Sequence, residues 1–470
     1  MHARLPSRRR ISRDYTTFHV SLQSETAAIL GKETANEMSD LQEHLLPQQA
    51  LQDQLNDLRR RIARIDRKYA ARPLPVSEQL RLPRPEDILD GREVETPAGK
   101  HWEMERLYAR HRRHGSMDIS DLADLPGNLL EAISGGAIAP SHPSEWAFLD
   151  TETTGLAGGS GTCAFLVGVG RISGEGFHVR QYFMRDYSEE ASLLWALAEH
   201  LQSFRVLITY NGRTFDQPLL ETRYRMARSK PPFAHMEHLD LLFGSRRLWN
   251  LRFESCRLVE LENRILGVER EGDVPGELIP HLYFDYLRTR LALRLVPIFH
   301  HNAMDILTLA CLTGIVPYAF LPPESVALRH GAEMVGLARW HRQGAQYRWA
   351  AELFRRAIDR GLPDSLLFRT QWDLSLLEKK LERVDAALAL WKDLIAVRNP
   401  FRAAAFEELA KYFEHRERDF GAALKITCDA LAVEDSAALR KREERLRRRV
   451  RGRGSAGSSS LEIPAILWRS

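Results

Sequence analysis

Asp150 and Glu152 stand two positions apart at the end of the short apolar run WAFLD (146–150). On a strand, that spacing turns both carboxylates to one face. Like charges side by side repel, and one pKa rises unless a cation offsets them. Hard divalent cations such as Mg2+ and Mn2+ prefer carboxylate oxygens. A solvated pair at a strand end is the ordinary alternative; the flanking Phe148 and Leu149 and the TTG turn after the pair argue against it. One such pair is a weak signal, and order strengthens it. Asp216 lies in YNGRTFDQPLL, after a later apolar run and at the opening of a helical segment. An acid there is by itself an ordinary complement to the helix dipole. Asp305 lies in HHNAMDILTLACL, with His301 one turn earlier on roughly the same helical face.

Other residues could meet a substrate. Asn211 could position a phosphate or cap the turn after it, and Asp240 in HLDLL reads as a structural acid near the site. Arg246, Arg247 and Trp249 combine charge with an aromatic face, which suits a nucleic-acid strand as well as it suits a surface ion-pair cluster. GLAGGSG is no dinucleotide fingerprint, since a strand comes after it instead of a helix; it reads as a hairpin connection.

The elements that must position these residues follow from the apolar pattern. WAFLD, CAFLVGVGRI and FHVRQYFM predict three sequential strands, with Gly174–Gly176 at the second turn. SEEASLLWALAEHLQSF predicts a helix with Ser188 as its cap, VLITY (206–210) a strand, FDQPLLETRYRMAR a helix and HLDLL a strand. That order implies an α/β fold, a mixed sheet covered by helices. Residues 69–145, rich in Pro and Arg, read as an irregular approach; the apolar steps from Leu51 to Ile65 make a seam of only about two heptads. After residue 325 strand signals stop. AAELFRRAI from Ala350, AALALWKDLI from Ala386 and AALKITCDAL from Ala422 recur at a step of 36 residues, as helix-pair repeats would. RKREERLRRRVRGRG then predicts a helix end that frays into a disordered tail.

Together these segments resemble the DEDD exonuclease superfamily, and within it the YprB-like subgroup, in which a ribonuclease-H-like domain is joined to tetratricopeptide repeats. LDTETTGLAGGSGTCAFLVGVG, LITYNGRTFDQPLLETR, HLDLL, YFDYLRT and HNAMDIL carry the resemblance, over about residues 80–320 and through the repeats towards 435. It implies a ribonuclease-H-like mixed sheet flanked by helices, followed by an all-α tetratricopeptide-like repeat domain. The expected divisions are 1–80, 81–325 for the nuclease domain, 326–437 for the repeats and 438–470 for the basic tail. The resemblance further implies two Mg2+ or Mn2+ ions held by Asp150, Glu152, Asp216 and Asp305, with Asp150 contacting both. One branch of the superfamily has a His five residues before the last Asp, the position of His300; the other has a Tyr four before it, the position of His301. Helical geometry favours His301, about 40° from Asp305 around the helix against about 140° for His300.

The implied activity is phosphodiester hydrolysis of DNA or RNA, as a 3′–5′ exonuclease on single strands. The alternatives are a structure-selective endonuclease, or a scaffold binding protein partners through its repeats. Composition is consistent with either class: 44% hydrophobic, 28% charged and a net charge of only +4, so any basic footprint is local. Four scattered cysteines form no CxxC pair, and a reducing cytoplasm fits. Ile306–Leu321 is too short and interrupted for a membrane span and reads as a buried helix, and the Arg-rich N-terminus lacks a secretory apolar core.

Overall fold

The structure, a computed structural model, describes Arg60 and residues 88–155, 161–322 and 328–454. The chain divides into Met1–Arg81 and Leu82–Ser470, and every described residue except Arg60 belongs to the second unit. The seam from Leu51 to Ile65, apart from Arg60, lies outside the described residues.

Seven strands form the main sheet: β1 (Arg92–Thr96), β2 (Gly99–Ala109), β3 (Trp146–Thr153), β4 (Ala164–Ser173), β5 (Gly176–Phe183), β6 (Val206–Thr209) and β7 (Glu237–Asp240). Their spatial order is β1-β2-β5-β4-β3-β6-β7. From β1 across to β3 each neighbouring pair is antiparallel, whereas β6 runs parallel to both β3 and β7. This is the ribonuclease-H-like mixed sheet. The first four residues of β3 are at most 1% exposed, as a central strand covered on both faces requires.

β1 and β2 depart from the sequence reading. Residues 69–145 read as irregular, yet Arg92–Thr96 and Gly99–Ala109 extend the sheet edge beyond β5. Both strands carry many charges, and only Trp102, Met104 and Tyr108 supply a buried apolar set, which hid the two-residue period.

Helices cover the sheet. α1 (Glu190–Leu201) follows β5, α2 (Asp216–Met226) follows β6 and α3 (Leu241–Trp249) follows β7. The cap ahead of α1 is Asp186, whose side chain accepts from the Ser188 N–H at 3.3 Å; Ser188 itself is not the cap. α4 (Ile279–Thr289) and α5 (Val296–Thr313) complete the layer, and α5 lies across β3, β4 and β5. The stretch Ala292–Phe320 is apolar enough to cross a membrane, but 83% of its most apolar window is buried inside the fold. It is a core helix.

β4 explains how α5 comes so close. A Cβ at Gly168 would collide with Ile306 and Asn302, and one at Gly170 with Ile306 and Phe177. The two bare backbones let the helix lie flat on the strand.

The C-terminal region is all helix: α6 (Gly331–Gln343) with α7 (Tyr347–Arg360), α8 (Asp364–Lys380) with α9 (Val384–Ala396), α10 (Arg402–Tyr412) with α11 (Phe420–Val433), then α12 (Ala437–Gly454). The recurring alanine pairs open α7, α9 and α11, and Ala351, Ala387 and Ala423, spaced by 36 residues, are each 0% exposed. The basic segment is helical through Gly454, and α12 packs on α11 by burying Leu439 and Leu446.

α6 packs directly on α3, with Arg252 and Glu333 paired at 2.7 Å across the contact. Gly336 makes this approach possible, because a Cβ there would collide with the Arg247 carbonyl oxygen. Gly336→Ala should therefore destabilise the protein by ~1–3 kcal/mol in urea denaturation, the usual range for overpacking. An unchanged midpoint would show that the α3–α6 contact has slack.

Candidate active site

The parallel pairing of β6 reaches β3 only at Trp146–Phe148. Asp150 and Glu152 lie beyond that pairing, where the chain leaving β6 turns away through Asn211 into α2. Asn211 turns in the left-handed region at φ 69°. Its N–H donates to Asp240 at 2.8 Å, and the Arg213 N–H donates to the same carboxylate at 3.1 Å. Asp240 also caps α3 through Leu242 N–H at 3.1 Å, so this buried acid has the structural role expected of it. It fixes the loop that delivers Asp216. Thr151 then donates to Asp216 at 2.6 Å and ties the start of α2 to β3.

From the other side, α5 brings Asn302 and Asp305. Asn302, fully buried, donates to the Asp150 carboxylate at 2.8 Å. Gln181 on β5 orients it, donating to both the Asn302 side-chain oxygen and the Phe299 carbonyl at 2.9 Å. Asp305 pairs with Arg270 at 2.6 Å and faces His301 Nε2 at 3.6 Å. His301 Nδ1 lies 2.9 Å from both oxygens of Asp273. Arg270 also holds Asp273 at 3.2 Å and the buried Glu262 at 2.5 Å.

The four acids share one electrostatic neighbourhood. Burial, then the charges of Asp305 and Asp216, hold the Asp150 carboxyl well above the usual range, against the Asn302 bond. Burial, then Asp150, Asp305 and Asp216, do the same to Glu152. Asp216 is pushed up to about 6, mainly by burial and against its Thr151 bond. A nearly dry cluster with surplus negative charge and only hard oxygen donors fits Mg2+ or Mn2+ in its chemistry. As the side chains stand, no three His, Cys, Asp or Glu among the described residues are gathered about one point. Arg270 and Asn302 hold the oxygens of Asp305 and Asp150 instead.

The expected site residues are therefore divided. Asp150, Glu152, Asp216, His301 and Asp305 come together, while His300 is exposed. Arg246 and Arg247 are exposed on α3. Trp249 is a correction: at 3% exposed it belongs to the hydrophobic core, because it falls on the inner face of α3, and no base can reach its ring. Asn302, Gln181, Arg270 and Asp273 went unrecognised in the sequence. Asn302 stood inside the HNAMD motif; Asp273 and Arg270 lie in a turn-rich segment with no periodicity to mark them.

Comparison with known proteins bears on the superfamily and the family. Residues 147–316 match the RNase_H_2 family model, described as RNase_H superfamily. The chain is 34% identical, over 351 residues, to Bacillus subtilis (strain 168) "Uncharacterized protein YprB", covering 73% of this chain and 83% of that protein. The chain belongs to the YprB family. Among solved structures it is similar to the family B DNA polymerase of Pyrobaculum calidifontis, at 13% identity and a TM-score of 0.31. That match covers 52% of this chain and 34% of the polymerase, so the chain spans about a third of that protein.

His301 offers a direct test of the site's electrostatics. Burial works against its imidazolium, but the Asp273 hydrogen bond and the Asp305 and Asp273 charges outweigh burial and raise its pKa. Asp273→Asn should lower the His301 pKa, read by NMR titration of the ring nitrogens in the metal-free protein. An unmoved midpoint would mean that Asp273 does not govern this histidine.

Proposed function

We propose that the chain is a divalent-metal-dependent nuclease of the DEDD type, acting as a 3′–5′ exonuclease on single-stranded nucleic acid in a reducing cytoplasm. Its ribonuclease H superfamily domain supports a nuclease activity. The observation that carries the finer reading is the electrostatic neighbourhood that four acids from β3, α2 and α5 share, with the carboxyls of Asp150, Glu152 and Asp216 held above their ordinary range.

Asp150, Glu152, Asp216 and Asp305 would hold the ions. Bound Mg2+ or Mn2+ would offset charge on the scissile phosphate and lower the pKa of the attacking water. Asn302 keeps one Asp150 oxygen oriented, and Gln181 keeps Asn302 from rotating. With Nδ1–H donating to Asp273, neutral His301 has Nε2 free on the side of Asp305 to accept a proton from water. His300, exposed and off this face, has no such partner in the site.

The experiment is cleavage of 5′-end-labelled single strands with Mn2+. A 3′–5′ exonuclease gives labelled products that shorten stepwise, whereas an endonuclease gives discrete internal fragments. Asp150→Asn should abolish cleavage without unfolding the protein, and full activity in that variant would sink the metal assignment. His301→Ala should slow the reaction by ~10²-fold or more and His300→Ala far less. The reverse ranking would move the base to His300.

Metal removal gives a second readout that needs no turnover. The Asp216 carboxyl titrates near 6 in the fold against an ordinary 3.8 unfolded, so the folded state binds more protons between those values. Its stabilising contribution is full below about pH 4 and is lost as pH rises through about 6. The metal-free melting temperature should therefore fall across that window, and Mg2+ or Mn2+ should restore it at neutral pH. A metal-free profile that rises through the window would contradict the uncompensated cluster.

A further inference from the structure

Two cavities border the loop after β6 and the helix after β7, and they share part of their walls. The first, of about 500 Å³, is lined by Tyr210 and Asn211, from the loop that delivers Asp216, and by Arg246, Asn250 and Arg257. Glu254 is the acid on its wall. The second, of about 180 Å³, is lined by Arg246, Arg247 and Asn250 on the α3 side and by Gly336, Arg339 and Trp340 of α6. Arg246 and Asn250 belong to both, so the two adjoin, and their walls together reach from Asn211 to the first repeat helix.

We propose that the two form one groove, the track along which a single nucleic-acid strand runs between the carboxylates and the repeats, so that α6 is part of the substrate-binding surface. The inference rests on the nuclease reading and extends it to a part of the chain that supplies none of the four acids.

Charge is the first support. Arg246, Arg247, Arg257 and Arg339 have no carboxylate within 4 Å among the described residues, and all four line the two adjoining cavities. Burial holds the guanidinium groups of Arg247 and Arg339 below their ordinary range, with Asp373 partly offsetting this at Arg339. Guanidinium groups without a bonded carboxylate are open to charge-assisted bonds with phosphates. The second support is the ring. Trp340 is half-buried, with its ring perpendicular to that of Phe320 at 4.9 Å between centroids and the Arg247 guanidinium over it at 6.0 Å from its centroid. Unlike Trp249, it stands on the groove wall, where a base can stack. The third is rigidity: Gly336 seats α6 against the Arg247 carbonyl, so the two halves of the track are held at a fixed spacing.

The contrast with α12 decides against the densest basic run in the sequence. Arg442 and Arg445 pair with Glu414 at 2.8 Å, and Arg447 pairs with Glu443 at 2.6 Å. Those charges are spent on the helix's own neighbours. An unpaired base can stack on the Trp340 ring, whereas the bases of a duplex are already stacked, and an acidic peptide would leave the ring without a planar partner.

The test is fluorescence anisotropy of fluorescein-labelled oligothymidylates of ~4 and ~16 nucleotides, the range of single-strand site sizes, on the full chain in EDTA across a salt series. The longer oligonucleotide should show the steeper log–log salt slope in the wild type. Arg247→Gln with Arg339→Gln, and separately Arg246→Gln with Arg257→Gln, should each flatten the longer oligonucleotide's slope by ~1.4, about 0.7 per lost phosphate contact on a single strand. Melting temperatures verify folding, and either pair suffices should the other fail to fold. Unchanged slopes, in a wild type that binds and cleaves single strands, would overturn the groove while sparing the nuclease reading. A wild type that neither binds nor cleaves them would overturn both. Equal binding of polyglutamate, lost in the same variants, would make the occupant an acidic protein segment and overturn the strand.

Discussion

The descent of α5 onto β3 and β4 is the contact on which the geometry of the acids depends. It is steric in origin: Gly168 and Gly170 leave no side chain where Ile306 and Asn302 must lie. Only at that distance does Asn302 reach Asp150, and only then does Asp305, one turn further, enter the same field. The closeness has an electrostatic consequence. A hydrogen bond to a charged group contributes ~1.5–3 kcal/mol, whereas removing a carboxylate from water costs several kcal/mol. The Asn302 bond therefore cannot by itself offset the burial of Asp150, and the raised carboxyls of Asp150, Glu152 and Asp216 express the deficit. The fold holds together an arrangement that only added positive charge makes comfortable.

Part of that charge is already present in Arg270, which three acids share. Glu262 is fully buried, while the Asp273 and Asp305 side chains are 14% and 15% exposed. Breaking a buried pair costs ~3–5 kcal/mol because a dry charge is left alone, so Glu262 is the partner Arg270 cannot leave. Thr308 and His114 add further donors around Glu262, which pins that end of the guanidinium more firmly. Asp305 is the partner whose other oxygen already faces His301 and solvent. Asp305 is thus the least firmly held of the three, and the contact of Asp273 with His301 does not depend on it.

Sequence patterns carried the parts of this that depend on local periodicity. The strands β3 to β7, the helices α1, α2 and α5, the burial of the Ile306–Leu321 stretch and the 36-residue alanine phase were legible because apolar spacing reports burial directly. The i, i+2 acids and the i, i+4 relation of His301 to Asp305 were legible for the same reason: they are spacings within one element. What escaped was contact between elements. Asp273 meets His301 across 28 positions and Gln181 meets Asn302 across 121, and neither separation leaves a trace in a single sequence. Trp249 was misplaced because a nine-residue helix with charges at Arg246 and Arg247 gives too few turns to show which face is inward. β1, the edge strand, and its neighbour β2 were missed because both carry many charges, and charge erases alternation.

The repeats bear on the same point from the other end of the chain. A solenoid of helix pairs transmits position only if its first pair is fixed to the body it serves. Here α6 is fixed twice over, by the backbone contact that Gly336 permits and by the Arg252–Glu333 pair. Its aliphatic residues Met334, Val335, Leu337 and Ala338 join the same core cluster as Ile306 and Leu307 of α5. A continuous apolar core therefore runs from the helix that carries Asp305 to the helix that carries Arg339 and Trp340. Close-packed interiors yield little to small forces, so the spacing between the acids and the arginines of α6 is set by the fold itself. Guanidinium groups held at a fixed remove from the carboxylates can take the phosphates of one strand in register, which a basic tail on a flexible tether could not.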